Sequence, residues 1–176
     1  MVFGFEASFC NLQTTISWKF SKFEDPVYPA LFHMKTSGRI LALDLGRKRV
    51  GVAVCDELQM TARGVRVITR ETDEKLLAAT QKLIEDFDAQ ALVIGLPLNF
   101  DGTESNGAIE ARELAKKFAE SLSVPVFLQD ERLTSREAEE ILRERGVHDR
   151  RKIKELVDME AAAIILRDYL AQNEGN

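Results

Sequence analysis

An α/β domain built on a mixed five-stranded sheet, three antiparallel strands followed by two parallel ones and flanked by helices, is the fold class this sequence predicts. Three observations carry that expectation. RILALDLG, RVGVAVCD and RGVRVITR follow one another as β-rich runs separated by short polar or glycine-bearing turns, the pattern of an antiparallel meander. Two further apolar runs, ALVIGLP and PVFLQD, each come after a stretch with helical spacing. At 176 residues, 45% apolar and 30% charged, the chain fits one domain large enough to close a single hydrophobic core.

The elements can be justified in order. After the meander, Asp73 to Phe87 places Leu76, Leu77, Thr80, Leu83, Ile84 and Phe87 at helical spacing, and ALVIGLP reads as a buried strand ended by Pro97. Ser105 to Leu122 repeats the helical pattern through Ile109, Leu114 and Phe118, and PVFLQD is a short strand. Two helices are expected at about 135–145 and 154–171, the first opened by a capping box, Thr134-x-x-Glu137. The order β-β-β-α-β-α-β-α-α is a meander feeding parallel βαβ units, and right-handed crossovers place the later strands beside the first. That is the layout of ribonuclease-H-like domains. It brings the ends of strands one, four and five to one edge.

Residues 1–36 differ from the rest, holding Phe3, Phe5, Phe9, Trp18, Phe20, Phe23, Tyr28 and Phe32 without periodicity. They read as a poorly ordered N-terminal extension or a mis-assigned start, ahead of a domain at 37–172 and a tail at 173–176. Met34, followed by Lys-Thr-Ser-Gly and then a strand, is the expected real or alternative start. The segment has no basic region ahead of a continuous apolar stretch, as a secretory signal would, and it contains no arginine. The longest apolar runs, Ala91 to Ile94 and Ala161 to Leu166, fall far short of the roughly 20 residues that span a bilayer, so no membrane partner is expected. Cys10 and Cys55, without a CxxC or Cys/His cluster, indicate neither a disulfide framework nor a zinc site and fit a reducing cytoplasm. A net charge of -5 argues against non-specific coating of nucleic acid, while leaving room for local phosphate-holding patches.

Three acids stand out. In RILALDLG the residues Ile40, Ala42 and Asp44 share one sheet face, so the Asp44 carboxylate projects from an apolar row, where burying a charge is costly. The plain alternative is a turn aspartate bonded to the following amides. Asp130 and Glu131 end VFLQDE on opposite faces, so only one of them faces Asp44; anions at a helix start are the alternative there. Asp158 is expected in the first turn of the last helix, beside the face of Leu156, Met159, Ala163 and Leu166, with Ala161 to Ala163 allowing close approach to the sheet. A dipole-compensating surface aspartate is the competing explanation.

The strings LALDLGRKRVGVAV, VIGLPLNFDGTE, FLQDERLTSREA and VDMEAAAIILRDYL resemble the successive motifs of the YqgF family, a Holliday-junction-resolvase-like branch of the ribonuclease-H superfamily. The resemblance spans about residues 38–171. It implies that Asp44, Glu131 and Asp158 are the catalytic acids and metal ligands, and selects Glu131 over Asp130. Glu160 points roughly 200° around the helix from Asp158 and is not counted. Three converging carboxylates repel by roughly 3 kcal/mol per pair at 5 Å and an effective dielectric of 20. A hard cation, Mg²⁺ or Mn²⁺, relieves that, and two such ions can activate a water and stabilise a leaving oxygen. The implied activity is a metal-dependent endonuclease acting in 5′-end maturation of precursor 16S ribosomal RNA, with four-way DNA junctions as the alternative substrate. Symmetric junction cutting needs two active sites, hence a possible homodimer.

Basic residues accompany each acidic motif and could fix a nucleic-acid backbone without reading its sequence: Arg47, Lys48 and Arg49, then Arg132 and Arg136, then Arg150, Arg151 and Lys152. The turn at Asn99 to Thr103 could offer backbone amides to a phosphate. His33 and His148 fall in the extension and in an expected loop, where a solvated His148 is favoured over one that assists the metal centre, and the metal chemistry needs no nucleophilic side chain. Two other classes compete. A phosphotransferase also opens with a strand and an Asp-x-Gly loop, but usually needs two lobes. A catalytically silent nucleic-acid-binding module would be expected to lose the three acids.

Overall fold

Alternation of side chains along five strands sorts this chain into two packed faces, and the sorting explains the architecture. The computed structural model describes residues 37–99, 103, 105–131 and 150–173, the side chains of 150–153 excepted. Strands β1 (Arg39–Leu45), β2 (Arg49–Cys55) and β3 (Ala62–Thr69) come first, followed by α1 (Asp73–Phe87), β4 (Ala89–Leu96), α2 (Asn106–Ser121), β5 (Val126–Asp130) and α3 (Arg150–Asn173). The sheet order is β3-β2-β1-β4-β5. β1 pairs antiparallel with β2, and β2 with β3, whereas β1 with β4 and β4 with β5 are parallel. This is the mixed sheet read from the sequence.

One face carries Leu41, Leu43, Val50, Val52, Val54, Leu92 and Ile94, covered by Leu76, Leu83 and Ile84 of α1 and Leu114 and Phe118 of α2. The other carries Ile40, Ala42, Ala53, Cys55, Ala91 and Val93 beneath Ala162, Ala163, Ile165, Leu166 and Tyr169 of α3. Because β4 is buried on both faces, it reads as a continuous apolar run rather than an alternating one. The helix boundaries follow from caps. Thr72 accepts from Lys75 N at the start of α1, Asp88 ends it in the left-handed region at φ 50°, and Ser105 accepts from Ala108 N at the start of α2.

One boundary differs from expectation. α3 begins at Arg150 rather than near 154, because Arg150, Arg151, Lys152 and Ile153 bring no glycine or proline and continue the helix outward. Asp158 therefore sits in the third turn. A macrodipole role fades beyond the first turn and loses its footing here. Residues 1–36, the capped helix expected at about 135–145, Arg132, Arg136, His148 and the tail from 174 onward lie outside the described residues. No helix among the described residues is long and apolar enough to cross a membrane.

Candidate active site

Asp44 lies on the α3 face near the end of β1, two residues beyond Ala42, and its register partner across β2 is Gly51. A β-carbon on Gly51 would stand 1.9 Å from the Asp158 carbonyl oxygen, so the absence of a side chain there lets α3 rest directly on the strand. Gly64 of β3 does the same for Met159, whose Cβ would lie 2.6 Å from an added β-carbon. These two glycines fix the depth of α3 where Asp158 leaves it. Ala162 and Ala163 pack on this face of the sheet as the sequence predicts, whereas Ala161 is buried in a separate cluster with Ile164 and Val157.

On the other side of Asp44 a third glycine holds the second acid. The parallel register pairs Leu43 with Ile94, which brings the next residues, Asp44 and Gly95, to neighbouring strand ends. Glu131 follows the last residue of β5, and its backbone N donates to Leu96 O at 3.2 Å. Its Oε2 occupies the space a Gly95 side chain would need, 2.0 Å from an ideal β-carbon, with Ile165 Cδ1 against the same spot. Alternation puts Asp130 in phase with Val126 and Leu128, which pack on the α1/α2 face, so Glu131 is the acid that turns toward Asp44. Gly51, Asp44 and Gly95 thus form a row in which a carboxylate is flanked by two bare backbone positions, each roofed by an acid-bearing segment.

Electrostatics tie the three together. Burial raises the Asp44 carboxyl from its ordinary 3.8 to about 6, and the Asp158 charge pushes it the same way. Glu131 rises from 4.5 to about 8, first through burial, then through the Asp44 and Asp130 charges. Its Oε2 is buried without a hydrogen-bond partner. Asp158 is also raised by burial, against the opposing pull of Arg49, whose Nε stands 2.8 Å from Asp158 Oδ2.

The acids are neighbours rather than a closed chelate: among the described residues, no three His, Cys, Asp or Glu side chains form a group that could hold a metal ion as they stand. The donor set nevertheless fits a hard cation. Hard oxygen ligands, an orphaned buried carboxylate oxygen and two acids whose carboxyls are raised by burial and by neighbouring negative charge are what Mg²⁺ or Mn²⁺ would satisfy.

Of the basic residues named from the sequence, Arg47 and Lys48 are exposed at the tip of the β1–β2 hairpin, while Arg49 turns inward to Asp158. Asn99 is engaged within its own turn, its N donating to Thr103 O and its Nδ2 to Thr103 Oγ1, both at 2.9 Å. Arg150, Arg151 and Lys152 belong to α3, but their side chains lie outside the described residues. Glu160 pairs with Arg167 at 2.9 Å, away from the trio. The sequence reading passed over Gly51, Gly64 and Gly95. A glycine in a strand interior is a signal of close backbone approach, and all three carried it.

The family model described as RuvX, Holliday junction resolvase, matches residues 38–172. A protein of Anaeromyxobacter dehalogenans named "Putative pre-16S rRNA nuclease" is 48% identical over 132 residues, covering 75% of this chain and 96% of its own. A Syntrophomonas wolfei protein of the same name is 42% identical, covering 75% and 93%. Among solved structures, RuvC of T. thermophilus in complex with a Holliday junction substrate is similar over 77% of this chain and 95% of its own, at 17% identity and a TM-score of 0.48.

Proposed function

The chain belongs to the RuvX family, and we propose that it is a metal-dependent endonuclease whose acid trio, Asp44, Glu131 and Asp158, hydrolyses phosphodiester bonds in the 5′-end maturation of precursor 16S ribosomal RNA. The observation that carries the site is the Glu131 carboxylate, buried over Gly95 with an unpartnered oxygen and within electrostatic reach of Asp44. A protein does not keep such an oxygen cheaply unless something fills the place beside it. The substrate reading rests on relatives matched over nearly their whole length that carry the pre-16S rRNA nuclease name.

Asp44, Glu131 and Asp158 would hold Mg²⁺ or Mn²⁺, two ions in the fullest form. Such ions supply the positive charge that activates a water and stabilises the leaving oxygen. The chain's own groups do the rest. Asp44, paired with Gly51 across the β1–β2 ladder, is the carboxylate whose charge raises Glu131 and whose own proton affinity is raised by burial and by Asp158. Ile165 and the Gly95 backbone shut water away from Glu131, which strengthens its interaction with any cation beside it. Arg47 and Lys48 stand exposed where a phosphate backbone would cross the strand ends, fixing its path without reading bases. Catalysis in the cytoplasm fits these assignments.

The test is cleavage of a precursor 16S 5′-end RNA and of a four-way DNA junction with Mg²⁺ or Mn²⁺, comparing wild type with Asp44→Asn. RNA cleavage is expected to fall by at least about 100-fold, the scale of removing one group from a preorganised electrostatic site. Unchanged cleavage by folded Asp44→Asn would remove the acid trio from the reaction. Cutting of the junction but not the RNA would move the substrate to branched DNA.

A further inference from the structure

We propose that Arg49 is a built-in counter-ion that competes with the divalent cation for Asp158 and so sets the concentration at which the site loads. The inference rests on the metal-site reading above and goes beyond it, because that reading gives Arg49 no part and the sequence suggested only a nucleic-acid contact. Arg49 opens β2, two residues before Gly51 and in phase with it, so the strand directs its side chain to the α3 face. Its guanidinium Nε reaches 2.8 Å from Asp158 Oδ2. Arg47 and Lys48, on the same hairpin, are exposed instead.

The pair can exchange because both side chains keep contact with solvent, at 36% exposure for Arg49 and 21% for Asp158, although the paired Oδ2 itself is buried. Ion pairs of that exposure are worth little. The remaining charges felt by Asp158 come from Glu155 and Lys154 on its own helix, of opposite sign, and from Asp44 on β1. Arg49 is thus the cation seated against the carboxylate among the described residues. It neutralises part of the trio while no ion is bound, and an arriving ion must displace it. The displaced guanidinium is then free for a phosphate oxygen, the role its exposed neighbours can play throughout.

The experiment is calorimetric titration of Mn²⁺ into the full-length, chelator-treated protein without nucleic acid, so the reading is cation affinity rather than activity. Arg49→Gln is expected to bind Mn²⁺ roughly two- to fivefold more tightly than wild type, the upper range of losing one partly exposed pair. Lys48→Gln, which removes a nearby charge that does not touch Asp158, should shift affinity by less than about twofold. Arg49→Lys keeps the charge without the guanidinium and should fall between; it also serves if Arg49→Gln does not fold. Equal or weaker binding by Arg49→Gln, or an equal gain in Lys48→Gln, overturns the proposal. Unchanged Mn²⁺ binding in Asp158→Asn would instead sink the metal-site reading beneath it.

Discussion

The two faces of the sheet are built from the same strands by opposite rules. Toward α1 and α2 the strands present leucine, isoleucine and valine, and Phe118 fills the space between. Toward α3 they present chiefly alanine and glycine, met by Ala162 and Ala163. A buried leucine or phenylalanine contributes about 1.5–3 kcal/mol, and an alanine far less, so the first face carries the larger share of apolar stabilisation. The second gives up that gain for proximity. Backbone meets backbone at Gly51, and only so does an aspartate in the third turn of a helix come to stand over Asp44 at the end of a strand. Stability and chemistry are divided between the faces.

A matched pair of substitutions tests that division, and its effect should be the largest. Gly51→Ala drives a β-carbon against the Asp158 carbonyl, which is backbone and cannot swing aside, so α3 must lift. Cleavage is expected to drop by about 100-fold, the scale of a misplacement near 1 Å, with a stability loss of about 1–3 kcal/mol from overpacking. Leu92→Ala, which opens a cavity on the α1/α2 face, should cost more stability, about 2–5 kcal/mol. Cleavage should nevertheless stay within a few-fold at temperatures where that variant is folded. Thermal melts and initial rates on the same samples give both numbers. If Leu92→Ala lost activity as steeply as Gly51→Ala, the faces would not be separable.

The same contrast explains what could be read from the sequence. The α1/α2 face was legible because large apolar side chains declare their own period: Leu76, Leu83 and Ile84 gave α1 within its observed limits, and the alternation of Ile40, Ala42 and Asp44 gave the phase of β1. Strand phase also gave Asp44 its face and put Asp130 and Glu131 on opposite faces, while the choice of Glu131 came from the family resemblance. What stayed hidden was spoken by absent side chains. Gly51, Gly64 and Gly95 break no alternation, so a pattern of apolar residues passes over them, and which backbone approaches each one depends on chain more than 30 residues away. The onset of α3 at Arg150 was missed for a related reason: a basic, solvent-compatible stretch has no apolar stripe to mark the turn added before the buried part. The inward turn of Arg49 depends on Asp158, over a hundred positions along the chain, and no local pattern announces it.

A second test asks whether the α3 face costs stability as well as forgoing it. Glu131 at about 8 and Asp44 at about 6 bind protons more tightly folded than at their ordinary 4.5 and 3.8. Raised carboxyl values stabilise the fold fully below about pH 4, and that contribution is lost as pH rises through 6 and then 8. The metal-free protein should therefore melt several degrees lower at pH 8 than at pH 5. Glu131→Gln keeps the shape without the charge and should flatten that slope, raising the pH 8 melting temperature in EDTA. Excess Mg²⁺ should restore wild type at pH 8 and do little for the variant. A wild-type protein whose stability climbs from pH 5 to 8 in EDTA would mean that Glu131 is not the strained group described.

The smallest effect belongs to neither face. Arg47 and Lys48 sit at the hairpin tip, outside both packed layers and exposed to solvent. Losing one such cation removes one phosphate contact, so Lys48→Gln should weaken RNA binding by a few-fold, equally for cognate and scrambled sequences. The slope of log affinity against log salt should fall by about 1. Melting temperature and Mn²⁺ affinity should hardly move, because that side chain is exposed and its charge does not touch Asp158. Fluorescence anisotropy across a salt series reads this directly. A sequence-dependent loss would show that the hairpin tip reads bases; a stability loss would show that it packs against chain outside the described residues, and the two-face division would then need a third surface.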